Sequence, residues 1–153
     1  MTLIGIISDT HNLLRLEAIN ALKGSEIIIH AGDIGNSEII DRLKIIAPVF
    51  AVRGNIDKSA WGDTLPISDV IEISGKFIYL LHNIHEIDLD PVAAGFDAVI
   101  SGHSHKPKIE NKNGVFFINP GSAGPRRFSL PVTVAILQIV GKNISCDLIE
   151  LRV

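Results

Sequence analysis

The chain has 153 residues, 46% of them hydrophobic, a formal charge of −3 and a single cysteine. This length is enough for one domain over residues 1–153 with a sizeable core. One cysteine excludes an intrachain disulfide, and the charge excludes the broad basic footprint of a stable nucleic-acid binder, though not a short nucleotide ligand. No run approaches the roughly 18 apolar residues of a membrane span, and no signal-like segment precedes the first motif, so the expectation is a cytoplasmic protein with no membrane partner.

Residues 3–7 form a short apolar run, predicted to be a buried central strand. Residues 13–23 place Leu13, Leu14, Leu16, Ala18, Ile19, Ala21 and Leu22 on a helical face, with Gly24 as a stop. Residues 27–29 are predicted as a second strand. Ser37 is the predicted cap of a second helix carrying Ile39, Ile40, Leu43 and Ile46, with Pro48 beyond its end. Residues 49–52 give a third strand, and this β-α-β-α-β order implies a parallel sheet with right-handed crossovers.

The pattern then changes. Residues 57–69, with Gly62, Pro66 and the lone Trp61, read as a loop, and Trp61 as an anchor of that loop or of an oligomer interface. Strands are predicted at 70–73 and 77–81, joined at Ser74-Gly75-Lys76, a short helix at 90–95, and a buried strand at 98–100. Asn113-Gly114 is a hairpin turn leading into 115–118, and residues 132–140 and 144–151 form a last hairpin around Gly141-Lys142. Cys146 in that hairpin reads as a packed strand thiol. Two facing sheets with helices outside satisfy this order.

Polar clusters follow the apolar runs: Asp9-Thr10-His11, Gly32-Asp33, Gly54-Asn55, a lone His82, and Gly102-His103-Ser104-His105. Singly, most of these are common turn motifs. Jointly they deliver carboxylate, amide and imidazole ligands from several strand ends, which an α/β sheet gathers along one edge. The set is oxygen and nitrogen only and suits Mn, Fe, Zn, Ni or Co, with room for two ions. His30, two residues before Gly32, reads equally as a support for Asp33 or as a satisfied core histidine.

In this order, Asp9-x-His11, Gly32-Asp33, Gly54-Asn55-x-Asp57, His82 and Gly102-His103-Ser104-His105 resemble the motifs of the calcineurin-like metallophosphoesterases. Asn119-Pro120-Gly121-Ser122 resembles a further signature of their small one-domain bacterial and archaeal phosphodiesterase branch. The resemblance implies a four-layer αββα sandwich of two facing mixed sheets. It implies one divalent ion on Asp9, His11, Asp33 and His105 and a second on Asp33, Asn55, His82 and His103, with Asp33 bridging and manganese favoured. The implied activity is hydrolysis of small or nucleotide-like phosphodiesters by direct attack of a metal-bridging hydroxide, with Asn55 and His103 steadying charge at phosphorus. A dimer or larger homo-oligomer is also implied. Two alternatives stand beside it: a phosphomonoesterase, and a noncatalytic scaffold, since a retromer subunit uses the same fold as an interaction platform.

Two departures bear on the chemistry. Ile56 stands where many members carry a histidine that protonates the leaving group, which leaves the role of Asp57 open. Loss of such an acid costs on the order of 10²–10⁴-fold for poor leaving groups. Asn83 stands where the family often has glycine after the strand-end histidine, and asparagine tolerates left-handed geometry there. His85 is a candidate alternative acid, and Arg126, with Arg127, a candidate clamp for a distal phosphate. Loops at 56–66, 83–89 and 124–130 are expected to form the outer wall of the site.

Overall fold

The computed structural model describes residues 1–153. Its first sheet contains β1 (Thr2–Ile7), β2 (Ile27–His30), β3 (Val49–Ala51), β9 (Thr133–Val140) and β10 (Asn143–Glu150), in the order β10-β9-β1-β2-β3. The second contains β4 (Ser68–Ile73), β5 (Lys76–Leu81), β6 (Ala98–Ile100), β7 (Lys108–Lys112) and β8 (Val115–Asn119), in the order β4-β5-β6-β8-β7. Both are mixed. The pairs β1–β2, β2–β3, β5–β6 and β6–β8 are parallel, while β1–β9, β9–β10, β4–β5 and β7–β8 are antiparallel.

The sheets face each other across a core of Ile4, Ile6, Ile29, Ile78, Leu80, Ile100, Ile118 and Leu137, with Cys146 packed at its margin. These residues come from alternate positions of each strand, as the two-residue period of a pleated strand requires. The intervening residues of the first sheet, Ile7, Ile28 and Val134, bury against α1 (Leu16–Leu22) and α2 (Ser37–Lys44). Trp61 packs against this same cluster and so anchors its loop as expected.

The architecture is the expected sandwich of two facing mixed sheets, with a lean fourth layer. The outer face of the second sheet, at Tyr79, Leu81, Val99 and Val115, is covered by Ile84, Ile87, Leu89 and Phe96. These belong to a 3₁₀ turn at Ile84–Glu86 and to turns, and no α-helix covers this face. The helix predicted at 90–95 is one turn: Asp90 Oδ1 accepts from the amides of Val92 and Ala93, and Gly95 at φ 82° ends it. One turn fixes several dihedrals for a single hydrogen bond and does not propagate.

Other boundaries shift as well. The first helix starts at Leu16, because Arg15 is extended (φ −71°, ψ 145°) and its Nε donates to the Gly124 carbonyl. The cap of α2 is Asn36, whose Oδ1 accepts from the Glu38 amide at 2.9 Å, and Ser37 is already helical. Asn83 is extended (φ −113°), so its left-handed tolerance is not used; its side chain caps the 3₁₀ turn instead. The turns at Ser74-Gly75 and Asn113-Gly114 have positive φ at both residues, the twist that two-residue hairpins need. The strand preceding Asn113, β7, has a largely polar sequence that the apolar-run criterion passes over.

Candidate metal centre

Pairing Ile7 with His30 and His30 with Ala51 sets the carboxyl ends of β1, β2 and β3 level. The parallel pair β5–β6 does the same in the facing sheet. Asp9 and His11, Asp33, Asn55, His82, and His103 with His105 therefore emerge along one edge of the sandwich. The chain bends sharply there. Asp9, His11, Asp33, His103 and His105 all have φ between 44° and 71°. Left-handed geometry costs an L-residue roughly 1–2 kcal/mol, and such strain concentrates at functional sites.

The ligand atoms form two groups, Asp9 with His11 and His105, and Asp33 with His82 and His103, each within 4.8 Å internally. Asp33 links them. Its Oδ1 accepts from the Ile56 amide at 3.0 Å, while Oδ2 lies 3.4 Å from His11 Nε2 and 3.3 Å from His82 Nε2. Asp9 is fully buried. Its Oδ2 accepts from Ser8 Oγ and the His103 amide, but Oδ1 has no hydrogen-bond partner. That oxygen faces three imidazoles, 3.8 Å from His11 Nε2, 4.0 Å from His82 Nε2 and 3.5 Å from His105 Nε2. A buried carboxylate oxygen without a donor is costly. A cation among these nitrogens removes the cost, so the donor set fits a metal.

The protonation pattern agrees. His82 Nδ1 lies 2.7 Å from the Ala31 carbonyl, which fixes the proton on Nδ1 and leaves the Nε2 lone pair toward Asp33. Burial works against a charged His82, but the bond to and charge of Asp33, then Asp9 and the Ala31 carbonyl, outweigh it and raise its pKa. Burial likewise opposes the Asp33 carboxylate, and His82, the Ile56 amide and His11 bring it down to about 2. His105 is lowered by burial first, then by the charges of Arg127 and His11.

Supports reach in from all sides. His30 is fully buried, and burial, only partly offset by Asp9, Asp57 and Asp33, lowers its pKa to about 4, so the ring is neutral. The Gly32 amide donates to Nδ1 at 3.1 Å, Nε2–H donates to Thr10 Oγ1 at 3.0 Å, and the Thr10 hydroxyl donates to the Ile34 carbonyl at 2.8 Å. One histidine thus ties the Asp9–His11 turn to the Gly32–Asp33 turn. Its replacement, His30→Ala, should weaken divalent-ion affinity about 10–100-fold with the fold retained. Titration calorimetry on metal-stripped protein checks this, and unchanged affinity would show that the two turns hold themselves.

Asp57 is buried and accepts from the amides of Ile34 and Gly35 at 3.0 Å and of Gly54 at 2.9 Å. It clasps the loops carrying Asp33 and Asn55, and both its oxygens are occupied by backbone. At Gly54 a Cβ would overlap the Asp33 backbone nitrogen and Oδ1, so glycine is required by close approach. Asn119 Nδ2 donates to the Gly102 carbonyl and Ser104 Oγ, and Ser122 Oγ donates to the Asp9 carbonyl. The Asn-Pro-Gly-Ser segment is therefore a brace for two ligand turns. The supporting roles of Ser8, Thr10 and Ser122 escape sequence reading, because a serine or threonine in or beside a motif carries no periodic signal.

The other expected residues lie in the clefts and loops around the two groups. Asn55 shares with His82 a cleft of about 350 Å³, further lined by Arg53, Tyr79, Glu86 and Asp88. His85 is on the 3₁₀ turn and faces a second cleft with Ser104 and Lys106. Arg126 donates to the Leu130 carbonyl and ties its own loop, whereas the charge of Arg127 acts on His105. Of the three loops expected as a wall, 83–89 lines both clefts, and 56–66 and 124–130 line neither. Ile56 is 42% exposed.

Residues 2–142 match the calcineurin-like phosphoesterase superfamily domain, and the chain belongs to that superfamily. A protein of Methanothermobacter thermautotrophicus named "Probable metallophosphoesterase" is 33% identical, over 97% of this chain and 92% of that one. A solved archaeal phosphodiesterase superposes with a TM-score of 0.79 at 26% identity, covering 97% of this chain and 100% of the other. Vps29 of Chaetomium thermophilum also reaches 0.79, at 17% identity over 98% and 96% of the two chains, a likeness of fold alone.

Proposed function

We propose that the protein is a phosphodiesterase dependent on two divalent ions. The observation that carries the reading is the pair Asp9 Oδ1 and Asp33 Oδ2. The first is buried with no donor, and the second lies within 3.4 Å of imidazoles from both ligand groups. Asp9, His11, Asp33 and His105 would hold one ion, and Asp33, Asn55, His82 and His103 the other. Bound there, the ions supply Lewis acidity to a phosphoryl oxygen and to water. The relatives named as a phosphodiesterase and a metallophosphoesterase support the same class.

The chain's own residues set the rest. His82, with its proton held by Ala31, and neutral His30 keep the ligand turns in register. Asn55 presents an uncharged amide whose N–H groups can donate to an anionic oxygen in its cleft. Ile56 has no proton to give, and no side chain of the two ligand groups is free to replace it, so good leaving groups are favoured. The same proposal takes manganese as the activating ion, the chain as one domain, a dimer or larger assembly as its form, and the cytoplasm as its compartment.

The test is hydrolysis of bis-p-nitrophenyl phosphate against p-nitrophenyl phosphate by stripped protein refilled with Mn, Ni or Zn. The expected result is diester cleavage restored by metal, best with Mn. Restored monoester cleavage alone would make it a phosphatase. Metal binding without turnover of either ester would favour the scaffold reading.

A further inference from the structure

Two clefts flank the ligand turns, and they differ in charge. In the one beside Asn55 and His82, Arg53 is bound to Asp63 at 3.0 Å, and Glu86 and Asp88 remain. With Arg53 paired, that cleft has no unpaired lysine or arginine to take a second phosphate. The other, about 450 Å³, has Ser104, Asn119 and His85 at its top and Lys106, Lys108, Glu110, Lys112 and Phe117 along it. Three lysines face one glutamate, on a chain whose overall charge is −3. Its upper wall is the turn that carries His103 and His105, since Ser104 lies between them.

The lysines are arranged, not scattered. Residues 106, 108, 110 and 112 recur every second position along β7 and the segment before it, so they share one face. Successive side chains on such a face are roughly 7 Å apart, comparable with the phosphate repeat of an extended nucleotide strand. Glu110 Oε2 lies 2.9 Å from Lys108 Nζ and 3.8 Å from Lys112 Nζ, so one carboxylate is set against three ammonium groups and the row keeps a net positive charge. Phe117, opposite Glu110 on β8, is half-buried, and Lys112 Nζ lies 5.2 Å from its ring centroid. An aromatic face beside a cation row is how proteins hold unpaired nucleotides.

Resting on the phosphodiesterase reading, we propose that this cleft is a nucleotide subsite. It seats the second phosphate of a short oligonucleotide on Lys106 and Lys108 and a base against Phe117, while the scissile diester lies at the turns of Asp33 and His103. The subsite accounts for a substrate class that the ligand groups, which see only one phosphate, leave open. The cleft on the other side offers no unpaired lysine or arginine, and this difference gives the substrate its direction.

The dinucleotides pTpT and TpT differ only in a terminal phosphate and make the test. With metal-loaded protein, kcat/KM should favour pTpT about tenfold, chiefly through KM. In Lys106→Ala/Lys108→Ala that ratio should fall to about one, and Lys106→Arg/Lys108→Arg should restore it. Fluorescence anisotropy of 3′-labelled pTpT in EDTA reads binding without hydrolysis. Affinity should fall with salt and fall about tenfold in the alanine pair. A ratio near one in the unaltered protein, or one that the alanine pair leaves in place, overturns the subsite. If bis-p-nitrophenyl phosphate is cleaved but pTpT gains nothing, the subsite fails and the phosphodiesterase reading stands. If no ester is cleaved but pTpT still binds through the lysines, the hydrolase reading fails and the nucleotide site stands.

Discussion

Asp33→Asn should lower metal-dependent diester hydrolysis on the order of 10³-fold while the chain stays folded, because one atom is asked to serve two ligand groups. Asp33 Oδ2 faces His11 and His82, and Oδ1 is already committed to the Ile56 amide. An amide cannot fill both roles. If its oxygen keeps the bond to Ile56, its NH2 turns toward the imidazoles and repels a cation. Supporting residues around a metal typically cost 10–100-fold when removed, and a shared ligand costs more. Metal content per chain, measured after desalting, should drop with the rate. Retained rate with normal stoichiometry would remove Asp33 from the bridge.

The same variant has a signature without metal. The Asp33 pKa falls from its ordinary 3.8 to about 2 on folding. A depressed carboxyl contributes stability that is present above the unfolded value and lost as pH falls through the folded one. Metal-free wild-type protein should therefore lose a stability increment between about pH 4 and pH 2 that Asp33→Asn lacks. Urea midpoints measured across that range check the sign.

Asp57→Ala should destabilise the protein by on the order of 3 kcal/mol, with melting lowered by roughly 10 °C for a chain of this size. Three backbone amides, of Ile34, Gly35 and Gly54, lose their acceptor. Two loops come apart with it: one follows β2 and carries Asp33, the other follows β3 and carries Asn55. Asp57→Asn should do nearly as badly, since its NH2 would face an amide where Oδ1 or Oδ2 now accepts. An asparagine variant as stable as wild type would mean that one oxygen suffices. Activity should fall in proportion to folded fraction and metal affinity, which separates this clasp from a group touching substrate.

The strand runs were legible because their signals are local. Alternation and short apolar stretches act within a few residues, and the three two-residue hairpin turns announced themselves by Ser-Gly, Asn-Gly and Gly-Lys. Where sequence reading erred, either a partner distant in the chain had intervened or the local signal was too short or too polar. Arg15 is pulled out of helix by a carbonyl at Gly124, and the segment at 90–95 had too few residues to propagate. Strand β7 was undelimited because its alternating lysines carry charge where a buried strand carries apolar residues.

By itself the sequence determined the residue types, their order, and their position just after strands, and these suffice for the family and for a metal-binding chemistry. A strand end is a local property, and a carboxylate or imidazole there is exposed to whatever edge the sheet makes. Only the tertiary structure decided which oxygen of Asp33 faces both groups, which nitrogen of His30 carries the proton, and that Asp57 grips backbone. It also decided that three lysines and a phenylalanine line one cleft. Those outcomes depend on residues up to about a hundred positions apart being brought within a few ångströms by strand pairing and sheet packing, and no local periodicity encodes such distances.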